Sequence, residues 1–67
     1  MQLIDIAAEC KRVIDRAESA GVVVDDGNVI DLLADNLTDY PLRTLQDALV
    51  ICGHGHRFPR AASLRRY

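Results

Sequence analysis

The chain has 67 residues, of which 49% are apolar and 27% are charged, and its net charge is −2. A domain of this size buries only about 60% of the surface of its unfolded chain, so we expect a single domain over residues 1–67 with no room for a substrate pocket. The small negative charge argues against attraction of the whole protein to nucleic acid, and no apolar run approaches the roughly 20 residues of a membrane span.

The first predicted element is a helix over residues 2–20, because its apolar residues recur at spacings of three and four. Together they would form one buried stripe, which consists of Leu3, Ile6, Ala7, Cys10, Val13, Ile14 and Ala17. Gly21 follows at the position where a left-handed cap ends a helix. Residues 22–24 are three valines with no second strand to pair with, so we interpret them as an extended connector that plugs the core.

A second helix is predicted over about 27–37, because residues 25–28 offer side-chain acceptors for the free N–H groups of a first helical turn. Its inner face would consist of Val29, Ile30, Leu32, Leu33 and Leu37. After a turn at residues 38–40, Pro41 can take the first position of a third helix over about 41–52. The inward residues of this helix would be Leu42, Leu45, Ala48, Leu49 and Cys52.

Residues 53–56 read Gly-His-Gly-His, and we expect that they cannot sustain a helix. Phe58 is the one phenylalanine, and we expect its ring to anchor the returning chain on the core. A last short helix is predicted over about 60–66, with Leu64 inward and three arginines, Arg60, Arg65 and Arg66, outward. The predicted class is therefore all-α, a compact bundle of three main helices plus a short C-terminal helix.

The charge changes sign along the chain. Residues 1–47 contain all ten acidic residues and four basic ones, whereas residues 48–67 contain four arginines and no acidic residue. Such a two-signed surface on a small chain indicates a protein that docks on a macromolecule, since arginines bind phosphate or an acidic protein patch. Alternatively, the arginines are solvated or pair with aspartates of the second helix. The high aliphatic content also favours a leftover apolar face, for a partner or for a homodimer.

A metal site is considered at Cys52, His54 and His56, because thiolate and imidazole are ligands of zinc and copper. Their C-x-H-x-H spacing is not that of a zinc ribbon or finger, and Cys10 and Cys52 both fall on core stripes, where cysteine acts as a small hydrophobe. We therefore interpret the cysteines as reduced core residues and the histidines as solvated, and expect no cofactor and no catalytic site.

Direct nucleic-acid binding is the first alternative to protein docking. The second and third helices have the lengths of a helix-turn-helix, whose outer face would present Arg43, Thr44, Gln46 and Asp47. Arginine and glutamine can read base edges, but Asp47 and the acidic second helix would repel phosphate. The aspartates at positions 25, 26, 31, 35 and 39 could themselves mimic nucleic acid, although capping and solvation explain most of them.

Three short motifs occur in order along the chain: Asp39-Tyr40-Pro41, Ala48-Leu49 and Phe58-Pro59. With these motifs, roughly residues 28–66 resemble the small helical N-terminal domain of phage replicative-helicase loaders and inhibitors. The resemblance implies a helical module of a protein that engages a host replicative helicase. The chain departs from the family pattern at residues 53–56. Those loaders are also longer, with a flexible C-terminal part that binds the helicase, so the chain would correspond to the folded module alone or to a minimal relative.

We therefore expect a non-enzymatic, cytoplasmic phage or prophage protein that docks by steric binding on a host replication protein. The expected contact residues are Tyr40, Arg43, Arg57, Phe58, Arg60, Arg65 and Arg66. The alternatives are a small helix-turn-helix regulator and a phage inhibitor of another host complex. A contact role for Phe58 competes with a role in the core.

Overall fold

The computed structural model describes residues 2–63, and all regular structure in that range is helical. Five helices follow in chain order, α1 (Leu3–Ser19), α2 (Val29–Asn36), α3 (Leu42–Ile51), α4 (His54–Arg57) and α5 (Pro59–Ser63). The all-α class is confirmed. Leu64, Arg65 and Arg66 lie outside the described residues. Within those residues, no helix combines the length and the apolar character needed to cross a bilayer.

The apolar stripe of α1 is buried as the periodicity predicts. Its five buried members are Ile6, Ala7, Cys10, Val13 and Ile14, and Leu3 and Ala17 are partly buried beside them. The most extensive helix contact is between α1 and α3, and α2 packs against both. Gly21 ends α1 with a left-handed φ of 88°, the cap geometry that the sequence predicts.

The connector after α1 differs from its prediction, because only one of its three valines plugs the core. Val24 is 8% exposed, whereas Val22 is 48% and Val23 is 74% exposed. The N–H of Val22 donates to the carbonyl of Ala17, which ties this residue to the exposed end of α1. Val23 then faces away from Val24, since successive side chains alternate along an extended chain.

The start of α2 is organised by Asp25 and Asn28, which cap each other. Asp25 Oδ1 accepts hydrogen bonds from the N–H groups of Gly27 (2.9 Å) and Asn28 (3.1 Å), and Asn28 Oδ1 accepts one from the Asp25 N–H (2.8 Å). This reciprocal pairing has the spacing of a capping box and closes the turn that leads into α2, whereas Asn28, the N-cap of α2 itself, makes no side-chain cap bond. Residues 26–28 form the turn, so α2 begins at Val29, later than predicted.

The N-terminus of α3 is set by Pro41, which occupies the cap position with an extended ψ of 157°. The helix therefore begins at Leu42, one residue later than predicted. Leu42 is 43% exposed, so its predicted inward position is wrong, whereas Leu45 and Leu49 are fully buried. Leu42 is the first residue of α3, at the end of the helix, where its side chain stays partly in solvent.

The prediction that residues 53–56 cannot sustain a helix is wrong, because His54–Arg57 forms the single turn α4. Gly53 makes this possible with a left-handed φ of 89°, which ends α3 and redirects the chain. Gly55 allows α4 to approach α3 closely, since a Cβ atom there would lie 3.0 Å from Val50 Cα.

Phe58 and Ala61 return the chain to the core. Phe58 is 2% exposed and Ala61 is fully buried. Gln46, which was predicted on the outer face of α3, is instead 1% exposed. Its Nε2 donates to the carbonyl oxygen of Ala61 at 3.2 Å, because α5 packs on this side of α3 and brings a backbone acceptor to it.

Replacing Phe58 with alanine should lower the free energy of unfolding by about 3–5 kcal/mol, because it removes a buried ring and leaves a cavity. Urea unfolding followed by circular dichroism measures the change. Ile4 is 68% exposed and serves as the control, and Ile4→Ala should change stability by no more than about 0.5 kcal/mol. Equal effects of the two substitutions would contradict the burial of Phe58.

Gly55→Ala should destabilise the protein by about 1–3 kcal/mol, although alanine is the better helix former by about 1 kcal/mol. The added methyl group meets the backbone of Val50 and not a movable side chain end. The same loss is therefore expected in a Val50→Ala background. An increase in the urea midpoint for Gly55→Ala would show that α4 does not approach α3 this closely.

Candidate docking surface

The solvent side of α3 carries two apolar residues beside charged ones. We call Arg43, Asp47, Val50 and Ile51 the α3 outer face, because their spacing places them opposite the buried residues of that helix. Val50 is 49% and Ile51 is 48% exposed. Arg43 is exposed and Asp47 is half-buried. The face therefore has a basic start and an apolar end.

The apolar end of the α3 outer face is bordered by α4. Gly55 lies against Val50, with the position of a Cβ atom 3.4 Å from Val50 Cγ2. This contact covers one side of Val50 and leaves the other side open. Val50 and Ile51 were not among the predicted contact residues, although the periodicity that identifies the buried side of α3 also places them on its outer side.

Arg57 is one of the predicted contact residues, and it forms an ion pair inside the molecule. Its Nη2 donates to Glu18 Oε2, and its Nη1 lies 3.4 Å from Glu18 Oε1. Its guanidinium carbon also lies 5.1 Å from the centre of the Phe58 ring. The internal partner of Arg57 is therefore a glutamate of α1, and not an aspartate of the second helix as the alternative predicted.

His54 lies on the same aromatic ring. Its imidazole stacks on Phe58 with the ring centres 5.7 Å apart and an interplanar angle of 18°. Its Nδ1 atom is buried and has no hydrogen-bond partner. Burial lowers the pKa of His54, the cations Arg57 and Lys11 lower it further, and the carboxylates of Asp15 and Glu18 act in the opposite direction.

Tyr40 is half-buried and fastens the turn between α2 and α3 to α1. Its hydroxyl donates to Glu9 Oε2 at 3.0 Å. This hydrogen bond raises the pKa of Tyr40 above the usual 10.0, and desolvation and the charges of Glu9 and Asp39 add to the effect. The structure therefore gives Tyr40 a structural role in addition to its predicted role as a contact.

The predicted contact residues are distributed over several elements. Arg43 is exposed on α3, and Arg60 is exposed on α5. Phe58 is in the core, so its prediction as a partner contact is wrong, because a residue that is 2% exposed offers no surface. Arg65 and Arg66 lie outside the described residues.

The cysteine and histidine candidates do not form a ligand set. Among residues 2–63, no three histidine, cysteine or acidic side chains come together as a metal site would require. The thiol of Cys52 donates to the carbonyl of Leu49 at 3.4 Å. Burial, followed by the proximity of Cys52 and Glu9, raises the pKa of Cys10 to about 11. Cys10 is therefore a protonated core residue at neutral pH.

The face that a helix-turn-helix would use is incomplete. Gln46 is buried and Thr44 is half-buried, which leaves Arg43 beside Asp47 on the outside of α3. One arginine next to a carboxylate gives little attraction for phosphate. The sequence placed Gln46 outward because nothing in the local pattern shows that α5 packs over it.

A shallow apolar groove lies between the second half of α1 and α2. Its lining consists of Val13, Arg16, Ala17, Ala20, Leu32 and Asn36. The small side chains of Ala17 and Ala20 leave this space open. The groove is open to solvent, and its two polar residues, Arg16 and Asn36, offer too few converging groups to orient a reacting molecule.

No protein-family model matches the chain, and neither a curated protein nor a solved structure is similar to it.

Replacing Glu9 with glutamine should lower the pKa of Tyr40, because the phenolate form would no longer face a carboxylate. Phenolate absorbance during an alkaline titration measures this. The chain has two tyrosines, so both proteins should also carry Tyr67→Phe. An unchanged Tyr40 pKa would show that the bond to Glu9 does not form in solution.

Proposed function

We propose that this protein works without catalysis, by docking its α3 outer face on another protein, and that the partner is a host replication protein such as a replicative helicase. The observation that carries the docking proposal is the pair of half-exposed neighbours Val50 and Ile51 at the apolar end of that face. Apolar side chains that lose their water on association contribute much of the binding energy at the centre of an interface.

The α3 outer face is suited to rigid docking. Val50 and Ile51 are β-branched, so each has few rotamers to lose in a complex. The opposite side of α3 carries Leu45 and Leu49, which are fully buried and hold the helix in place. A surface that is ordered before association loses less conformational entropy when it binds.

The charged residues near the apolar pair support orientation of the partner. Arg43 lies at the other end of the same helix face, and Arg60 is exposed on α5, which packs against α3. Charges at the edge of an interface mainly raise the association rate and set the register. Arg65 and Arg66 belong to the same proposal, because they follow Arg60 in the basic C-terminal third.

The choice of a replication protein as the partner rests on the resemblance to the helicase-loader domain. The motif residues of that resemblance have structural roles here, since Pro41 caps α3 and Leu49 and Phe58 are buried. These structural roles support the proposal that the chain folds as a helical module similar to the helicase-loader domain. An inhibitor of another host complex would use the same surface, so the identity of the partner separates the two functions.

The test is direct binding of purified bacterial replicative helicase to the chain, measured by calorimetry at two salt concentrations. The double variant Val50→Ala/Ile51→Ala should weaken binding by at least about tenfold, as expected for a pair at the centre of an interface. The matched control is Val22→Ala/Val23→Ala, which removes two exposed valines from another part of the surface and should bind like the wild type.

Three results would contradict parts of this proposal. If helicase binds both double variants equally, the α3 outer face is not the docking surface. If helicase does not bind, but the wild type and not the Val50→Ala/Ile51→Ala variant captures a protein outside replication from a bacterial lysate, docking is retained and the replication assignment is rejected. Capture of only nuclease-sensitive nucleic acid would remove both.

A further inference from the structure

Helices α4 and α5 close one side of the core through Phe58 and Ala61. His54, the first residue of α4, lies where this segment meets the rest of the molecule. Its ring stacks on the buried Phe58, and its Nδ1 is buried without a hydrogen-bond partner. A neutral imidazole carries a proton on only one nitrogen, so its other nitrogen does not require an acceptor. An imidazolium carries a proton on both nitrogens. Protonation would therefore bury an N–H group with no acceptor.

Among residues 2–63, the carboxylates that act on His54 are both engaged with cations. Among the described residues, the charged groups that act on it are Arg57 of α4 and Lys11, Asp15 and Glu18 of α1. Asp15 is paired with Lys11 at 3.0 Å, and Glu18 is paired with Arg57. Each carboxylate near the ring is already paired with a cation, which limits how far it favours the imidazolium. An imidazolium would thus face two cations whose counter-ions are engaged.

We propose that α4 and α5 form a pH-sensitive cover on the core, which is closed while His54 is neutral and loosens when His54 is protonated. The buried Nδ1, which has no acceptor, and the nearby cations Arg57 and Lys11 favour the neutral form in the closed state. In the open state, water can solvate the imidazolium and separate it from Arg57. Protonation and opening are therefore linked.

The direction of the pH dependence follows from this linkage. The closed state lowers the pKa of His54 below the ordinary 6.5, which the open segment should approach. The stabilisation is fully present above pH 6.5. It is lost progressively as the pH falls from 6.5 through the lower pKa of the closed state, because the open state binds more protons in that window.

The experiment compares hydrogen-exchange protection, after correction for intrinsic rates, at pH 7.5 and pH 5.5 for the amides of residues 56, 58 and 62. In the wild type their protection should fall several-fold at the lower pH, while protection in the middle of α1 falls less. His54→Phe keeps an aromatic ring and cannot be protonated, so this loss should disappear. His56 is exposed and is the other histidine of the chain, so His56→Phe should retain the loss.

A second measurement, the chemical-shift titration of both imidazole rings in the wild type, does not depend on any variant. His54 should titrate below 6.5. The proposal is overturned if His54 titrates at or above 6.5, if protection falls equally in α1, or if His54→Phe keeps the pH dependence. If His54→Phe does not fold, the wild-type titration and exchange pattern decide the question.

Discussion

The packing of the apolar stripe of α1 against the inner side of α3 determines where the other elements lie. A chain this short has one core, so each further apolar side chain must reach that same contact. Val29 and Leu33 reach it from α2, and Phe58 and Ala61 reach it from the C-terminal segment. Because residues so far apart in sequence share one core, the loss of any one segment exposes the others. The tight turns around Gly53 and Gly55 are consequences of bringing Phe58 back over so short a distance.

Helical periodicity predicted α1, α2 and α3 because it reports a property that each helix has by itself, an apolar side. It failed where the environment of a residue depends on another residue far away in the sequence. Gln46 looks like a surface residue until the carbonyl of Ala61, fifteen positions later, becomes its acceptor. Residues 53–56 have poor helix propensity, and α4 forms there because Gly55 fits against Val50 in the folded chain. Tertiary contacts of this kind override local propensity.

The candidate docking surface shows the same contrast between features that follow from local sequence spacing and features that depend on tertiary contacts. The exposed side of α3 follows from its own sequence spacing, so Val50 and Ile51 could have been identified in advance. The basic C-terminal third suggested a set of available arginines, but Arg57 pairs with Glu18, which lies 39 positions earlier. Phe58 had two possible roles, and its burial assigns it to the core. Charge patterning along a sequence thus indicates which residues can reach a partner, and the fold determines which of them are already used.

The proposed cover and the proposed docking surface share one boundary, the contact between Gly55 of α4 and Val50 of α3. Loosening of α4 would expose more of Val50 and remove the edge of the α3 outer face. A partner that requires this edge would bind the closed state better, and its binding would lower the affinity of His54 for a proton by the same factor, since coupling between two sites is reciprocal. A partner that contacts only Ile51 and Arg43 has no such preference and would leave the His54 equilibrium unchanged, however tightly it binds. The extent of the contact around Val50 therefore determines whether docking and pH are coupled in this molecule.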